Sequence, residues 1–478
     1  MLFNSFIFIV FAALFFALWP LLRRRENLRY LFLVAASFLF YGWWDWRFLF
    51  LIIGSGLLDF FSGLGMLRWT RLRRLFLVLS MLGNVGSLMV FKYSGFFADN
   101  IGAFLGLFGL DVDLRTGMPP FMLILPVGIS FYTFQSMSYT IDIYRGQLQP
   151  TRNPLHFFAY LALFPQLVAG PIIRAADLLP QLREVRPVTD EQRWEGLRLV
   201  VHGFFKKVVI ADSLAHVVNY GFGLSHIPES SAYWWLVVTA FAFQIYCDFS
   251  GYSDIARGLA RWMGYDFMVN FNHPYTATSL QDFWRRWHIS LSTWFRDYVY
   301  IPLGGSRLGR ARGELNMWAT MLISGFWHGA AWNFVIWGGI HAGCTSLERI
   351  TGWPKKLAAM PGGRLLATTL VMVQVWVSWV FFRAGTFDQA VTILQRMFSF
   401  DGGLNTVAPI MGGINLINLS ILVGAMVLRE SYFYYGFNER TLLPSPWKQR
   451  LENLFLALVI VACVFLRGPG GAFIYFQF

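Results

Sequence analysis

Charge is scarce in this chain of 478 residues: only 14% are Asp, Glu, Lys or Arg, against 56% hydrophobic and 18% aromatic. With a mean hydropathy of +0.50, that shortage excludes a water-soluble globular protein. Cysteine is also rare. Cys247, Cys344 and Cys463 are odd in number and scattered through apolar sequence, so neither a disulfide framework nor a CxxC metal site is available. The chain has no HExxH, GxSxG, Walker or GxGxxG pattern, which removes zinc hydrolase, serine hydrolase and nucleotide-loop chemistry as motif readings. No histidine has an aspartate five residues later, so the HxxxxD pattern of soluble-domain acyltransferases is missing too. No metal site is expected.

What remains is a polytopic membrane protein. The net charge is +13, but the basic residues cluster in short loops between apolar runs, as positive-inside topology produces. Nucleic-acid binding is therefore not expected. An apolar run at about 2–22 is long enough to span and lacks a basic leader and a small-residue cleavage site, so it reads as a retained first helix. Arg23–Arg29 and the four arginines between Arg68 and Arg74 mark two cytoplasmic loops with a pair of helices between them. That parity places Met1 outside and Trp43, Trp44 and Trp46 at the outer interface.

Spans are expected at about 30–44, 47–66, 75–91, 94–110, 155–173, 365–384, 407–428 and 452–467, and residues 233–246 are apolar. Leu125-Pro126-Val127-Gly128-Ile129-Ser130-Phe131 interrupts the pattern; it reads either as a cavity wall or as a packing kink. Residues 174–200 are too charged to span and read as a cytoplasmic loop and amphipathic surface helix, serving as an anchor or a docking segment. Asp248 and Asp254 flank Phe249-Ser250-Gly251-Tyr252-Ser253. Buried acids face a cavity or pair with a cation, and the nearby arginines Arg257 and Arg285 are the bland partners. Six-residue spacing puts the two acids on different helical faces, which does not support a paired acid/base site. No linker or internal repeat separates a second domain, so one membrane domain is the simplest account.

Two histidines stand out between Gln281 and His341: His288 in Trp284-Arg285-Arg286-Trp287-His288, and His328 in Phe326-Trp327-His328-Gly329-Ala330. Read as a helix, Trp284, His288, Leu291 and Phe295 share one face, and a core histidine is the plain alternative. The glycine-rich loop 304–312 carries Arg307, Arg310 and Arg312 and reads as cytoplasmic. A helix restarting at about Leu315 reaches His328 after roughly 20 Å, inside a hydrocarbon core about 30 Å thick. Gly325, Gly329, Gly338 and Gly339 offer bends there, and His341 reads as structural. A buried imidazole at such a bend is a functional-site candidate. With no serine nucleophile motif, general-base activation of an incoming hydroxyl by His328 is the economical chemistry. A transporter or export scaffold whose histidines line a permeation path is the competing class.

These residues are similar to those of a known family. Gln281–Trp294 with Arg296-Asp297-Tyr298, Gly304-Gly305 and Trp327-His328-Gly329-Ala330 resembles the membrane-bound O-acyltransferases, especially the branch that O-acetylates alginate in bacteria. The resemblance extends to Pro126–Phe131, Phe164-Pro165 with Ala169-Gly170-Pro171, Asp248–Asp254, Phe382-Arg383-Ala384 and Tyr475–Phe478. It implies an all-α ring of tilted transmembrane helices around a central catalytic channel in the bacterial inner membrane. His328 is implied as catalytic, with His288 as its polar companion. Trp327, Trp287, Ser250, Asp248 and Asn333 are expected to line the channel, and Arg307, Arg310 and Arg312 to lie near the donor mouth. Acetyl-CoA is the expected donor, with no permanently bound cofactor. The expected partners are the lipid bilayer and a periplasmic SGNH-type acetyltransferase or polysaccharide-synthesis complex. Transfer of a D-alanyl or other acyl group by the same fold stays open.

Overall fold

The computed structural model describes residues 1–168, 170–402, 421, 423, 424, 426, 427, 446–471, 473 and 474. Among the described residues the regular elements are all helical, with no strand. Three helical stretches among them are long and apolar enough to cross a membrane: Glu26–Arg68, Thr70–Gly106 and Gly363–Arg383. The expected span at about 407–428 and the terminal Tyr475–Phe478 lie largely or wholly outside the described residues, as does Ala169.

The chain packs as two units. The first comprises Met1–Leu197 and Ala256–Met268. It holds α1 (Phe6–Leu22), α2 (Glu26–Asp45), α3 (Leu49–Arg68), α4 (Arg73–Leu88), α5 (Ser94–Gly106), α6 (Ile129–Tyr144), α7 (Pro154–Leu161), α8 (Phe164–Leu167) and α9 (Ala175–Arg183), and α10 (Asp190–Phe204) begins in it. On α1, Phe8, Phe11, Phe15 and Trp19 recur at helical spacing and are buried, while Phe6, Leu14 and Leu21 on the other face are 78%, 62% and 71% exposed. A helix apolar all round with half of it bare needs hydrocarbon as its solvent. A buried carboxylate inside this unit is satisfied by side chains of the neighbouring helices. Asp59 of α3 accepts from Ser80 Oγ at 2.5 Å and Asn84 Nδ2 at 2.8 Å on α4, and from Ser136 Oγ on α6. Such bonds tie helices together where water is absent.

The expected span at 155–173 is not one helix. α7 ends at Leu161 and α8 covers only Phe164–Leu167, with Pro165 at its start. Proline there removes a donor and breaks the helical register.

The second unit comprises Arg198–Ile255 and Val269–Phe478. After a π-helical stretch at Phe205–Ala211 come α11 (Asp212–Gly223), α12 (Ser231–Met263, whose residues from Ala256 on belong to the first unit), α13 (Leu280–Arg286), α14 (Ile289–Phe295), α15 (Arg310–His328), α16 (Trp332–Thr351), α17 (Trp353–Ala358), α18 (Gly363–Arg383), α19 (Phe387–Phe398) and α20 (Pro446–Phe465). α12 runs for 33 residues, straight through the acidic motif. The partners of its carboxylates are lysines of the π-helical stretch: Lys207 Nζ lies 2.8 Å from Asp248 Oδ1 and 2.8 Å from Asp212 Oδ1, and Lys206 Nζ lies 2.5 Å from Asp254 Oδ2. An arginine such as Arg257 or Arg285 was the partner expected from the sequence. An extra residue in a π-helical turn shifts the register of the side chains, and this stretch carries both lysines buried, at 3% and 1% exposure.

α15 and α16 form a hairpin whose backbones nearly touch. A Cβ on Gly325 would fall 2.2 Å from the Phe334 carbonyl oxygen, and one on Gly338 would fall 2.4 Å from that of Met321. These two glycines serve close approach rather than bending, as small residues do between membrane helices. The break lies at Gly329, whose extended backbone ends α15 directly after His328.

Candidate active site

His288 is not on a helix. It sits between α13 and α14 with φ +42° and ψ +55°, a left-handed conformation uncommon outside glycine. The single helical face expected for Trp284, His288, Leu291 and Phe295 therefore does not form. What holds the corner is Asn270, on the segment that follows α12. Its backbone carbonyl accepts from Ile289 N at 2.8 Å, and its side-chain Oδ1 accepts from Ser290 N at 3.2 Å and Ser290 Oγ at 2.9 Å. His288 Nδ1 lies 3.2 Å from the same Oδ1. Asn270 Nδ2 donates to Ser253 Oγ of α12 at 3.0 Å. All four side chains are at most 2% exposed.

The two histidines belong to one aromatic cluster. The His288 ring meets the Phe249 edge at 4.5 Å and lies 6.5 Å from the Trp327 ring; Trp327 in turn meets His328 at 5.0 Å. His328 is also in edge contact with Trp337 at 5.0 Å and Phe382 at 5.3 Å. Trp337 continues to His341 at 4.8 Å, and His341 Nε2 lies 3.0 Å from Ser378 Oγ. His341 thus packs on the far side of Trp337, tying α16 to α18.

Of the other expected channel residues, Trp287 is buried against Phe271 at 5.1 Å and Trp379 at 5.2 Å. Asn333 Nδ2 donates to the Ala384 carbonyl at 3.0 Å, joining the start of α16 to the end of α18. Asp248 Oδ2 accepts from Ile474 N at 2.7 Å, so beside its ion pair it secures the chain near its end. Ser250, one turn of α12 from Cys247 and Asp254, is 1% exposed. Arg307, Arg310 and Arg312 are exposed, and α15 starts at Arg310 rather than near Leu315. Two of the three arginines therefore ride on its first turn, and only Arg307 is in the glycine-rich turn before it.

Sequence reasoning missed Asn270, Phe249, Trp337 and Phe382 as neighbours of the histidines. The signal available for Asn270 was weak: a buried-type polar residue in Val269-Asn270-Phe271-Asn272-His273-Pro274-Tyr275, 18 residues from its partner, with no periodicity connecting them.

Two buried imidazoles in an aromatic cluster of an all-helical membrane protein suit proton transfer without a charged nucleophile, which is the chemistry of hydroxyl acylation. The comparisons agree with that class. The family described as MBOAT, membrane-bound O-acyltransferase, matches residues 145–383, a region that contains both histidines. The chain is 41% identical over 408 residues to the probable alginate O-acetylase AlgI of Azotobacter vinelandii, covering 84% of this chain and 78% of that one. It is 34% identical over 404 residues to the peptidoglycan O-acetyltransferase of Helicobacter pylori, covering 78% and 74%. It is 29% identical over 276 residues to the teichoic acid D-alanyltransferase of Bacillus subtilis, covering 55% and 69%. The protein is thus an acyltransferase of the membrane. It belongs to the membrane-bound O-acyltransferase family.

Proposed function

We propose that this enzyme takes an acetyl group from acetyl-CoA on the cytoplasmic side of the bacterial inner membrane and passes it across for O-acetylation of an exported polysaccharide such as alginate. The observation that carries the reading is the pair His288 and His328 in one buried aromatic cluster, in a chain 41% identical to a probable alginate O-acetylase. A periplasmic SGNH-type acetyltransferase or a polysaccharide-synthesis complex is the acceptor-side partner. The helices form a ring of tilted spans around the site, with the N-terminus periplasmic.

His328 accepts the proton of the incoming hydroxyl as its oxygen attacks the thioester carbonyl. The tetrahedral intermediate then expels the CoA thiolate, and the proton held by His328 goes to that leaving group. His288 either assists the acyl oxygen or orients the acceptor. The exposed guanidiniums of Arg307, Arg310 and Arg312 supply fixed positive charge for the phosphates of the donor.

The test is His328→Ala with membrane insertion confirmed, assayed with radiolabelled acetyl-CoA and an alginate oligosaccharide acceptor. Loss of transfer by about 10²-fold or more is expected for a missing base; full transfer removes His328 from the chemistry. Wild-type protein that neither hydrolyses nor transfers acetyl, alone or with acceptor, is the result a transport scaffold gives. The similarity to a D-alanyltransferase supports a second reading in which the cargo is D-alanyl from a carrier protein, and offering that donor in the same assay separates the two.

A further inference from the structure

The contacts of Asn270 fix the chemistry of one imidazole. A backbone N–H can only donate, so the side-chain atom of Asn270 that faces Ser290 N at 3.2 Å is the carbonyl oxygen, and the amide is oriented with Nδ2 toward Ser253 Oγ. That same oxygen lies 3.2 Å from His288 Nδ1. Two lone pairs at that distance repel, so Nδ1 carries the proton. The Ser290 hydroxyl does not compete for this arrangement, because it is 2.9 Å from Asn270 Oδ1 and 3.4 Å from His288 Nδ1.

We infer that Asn270 is a positioning residue that holds His288 in the Nδ1–H tautomer, leaving the Nε2 lone pair to accept a hydrogen bond from the acceptor hydroxyl. The inference rests on placing His288 in the acyl-transfer site, and it decides between the two roles given above. A neutral imidazole protonated on Nδ1 has no proton on Nε2 to offer an acyl oxygen. It can receive one from a hydroxyl, and so it orients the acceptor.

The backbone explains why an asparagine from elsewhere in the sequence does this. His288 occupies the N-cap position of α14 but makes no side-chain cap, so the first amides of that helix need an outside acceptor. Asn270 Oδ1 takes the Ser290 amide and its main-chain carbonyl takes that of Ile289. The cap is thereby supplied from outside, and the imidazole of His288 is released from capping. The left-handed backbone at His288 turns the ring back onto the oxygen that caps the helix.

The experiment is 15N NMR of histidine-labelled protein in micelles, with the His288 signals assigned by difference against His288→Gln, alongside steady-state transfer kinetics. Wild type is expected to show a pyrrole-type Nδ1 and a pyridine-type Nε2; a pyridine-type Nδ1 overturns the inference. Asn270→Ala should mix the tautomers and lower kcat by at least about 10-fold, part of the 10²–10⁴ contributed by a positioned proton-transfer group. Asn270→Asp keeps an acceptor at Nδ1 and should restore the single signature and recover activity relative to the alanine variant. If Asn270→Ala leaves the wild-type signature intact, the positioning role is wrong. If the signature is as expected and His288→Ala retains full transfer, the tautomer stands and the placement of His288 in the acyl-transfer site fails instead.

Discussion

Adding one methyl group between α15 and α16 tests whether the fold sets the position of His328, the proposed general base. A Cβ at Gly338 would sit 2.4 Å from the Met321 carbonyl oxygen, and at Gly325 2.2 Å from that of Phe334. Restoring even a 3.0 Å contact requires the helices to separate by about 0.6 Å or about 0.8 Å, and the obstacle is backbone, so no side chain can rotate away. His328 is the last residue of α15, three positions after Gly325, so the displacement reaches it nearly undiminished. A misplacement of about 1 Å can cost roughly 100-fold in rate, and overpacking a tight contact costs about 1–3 kcal/mol of stability. Gly338→Ala and Gly325→Ala are therefore expected to insert normally and lose about 10- to 100-fold in kcat. Gly339→Ala is the matched control. Its Cβ meets nothing nearer than Leu322 Cδ2 at 3.7 Å, and alanine is favoured over glycine within a helix by up to about 1 kcal/mol, so that variant keeps its activity. The assay is acyl transfer per inserted molecule, with thermal unfolding in detergent as the second readout. Equal rates for Gly338→Ala and Gly339→Ala would refute the claim that backbone contact in this hairpin positions His328.

Two further predictions concern charge. Lys207→Met leaves Asp248 and Asp212 buried without the ammonium that lies 2.8 Å from each, and should destabilise the protein by about 3–5 kcal/mol; thermal unfolding indistinguishable from wild type would show that the cluster is dispensable. Replacing Arg307, Arg310 and Arg312 together by alanine should raise KM for acetyl-CoA several-fold with little change in kcat, because an exposed guanidinium contributes to binding the phosphates and touches no reacting atom. An unchanged KM would move the donor mouth elsewhere.

The membrane class, the helical character and the burial of the two histidines among aromatic rings were legible because each is written locally. Apolar runs give spans, scarcity of charge excludes a soluble fold, and an imidazole among tryptophans stands out against that background. An interruption near His328 was legible only in outline: Gly329 was one of four glycines expected to offer a bend, and it is the one at which α15 ends. The family resemblance then supplied the chemistry, and the match over residues 145–383 agrees with it.

The partners were not legible. Asp248 finds Lys207 and Asp254 finds Lys206 across 41 and 48 positions (248 − 207; 254 − 206), through a π-helical stretch that no simple 3.6-residue count anticipates. The glycines of 325–339 were expected to bend a helix, but two of them let helices touch, a use that depends on what faces them. His288 was placed on a helical face because its neighbours have helical spacing; in the structure it is the corner between two short helices.

Sequence alone, then, determined the solvent of this protein and singled out the histidines proposed to handle protons, because hydropathy and residue type are properties of the chain itself. Tertiary structure decided which groups face the nitrogens of His288 and how closely α15 approaches α16. Both depend on groups brought together from distant positions, where a carbonyl oxygen 3.2 Å from an imidazole fixes what no local pattern encodes.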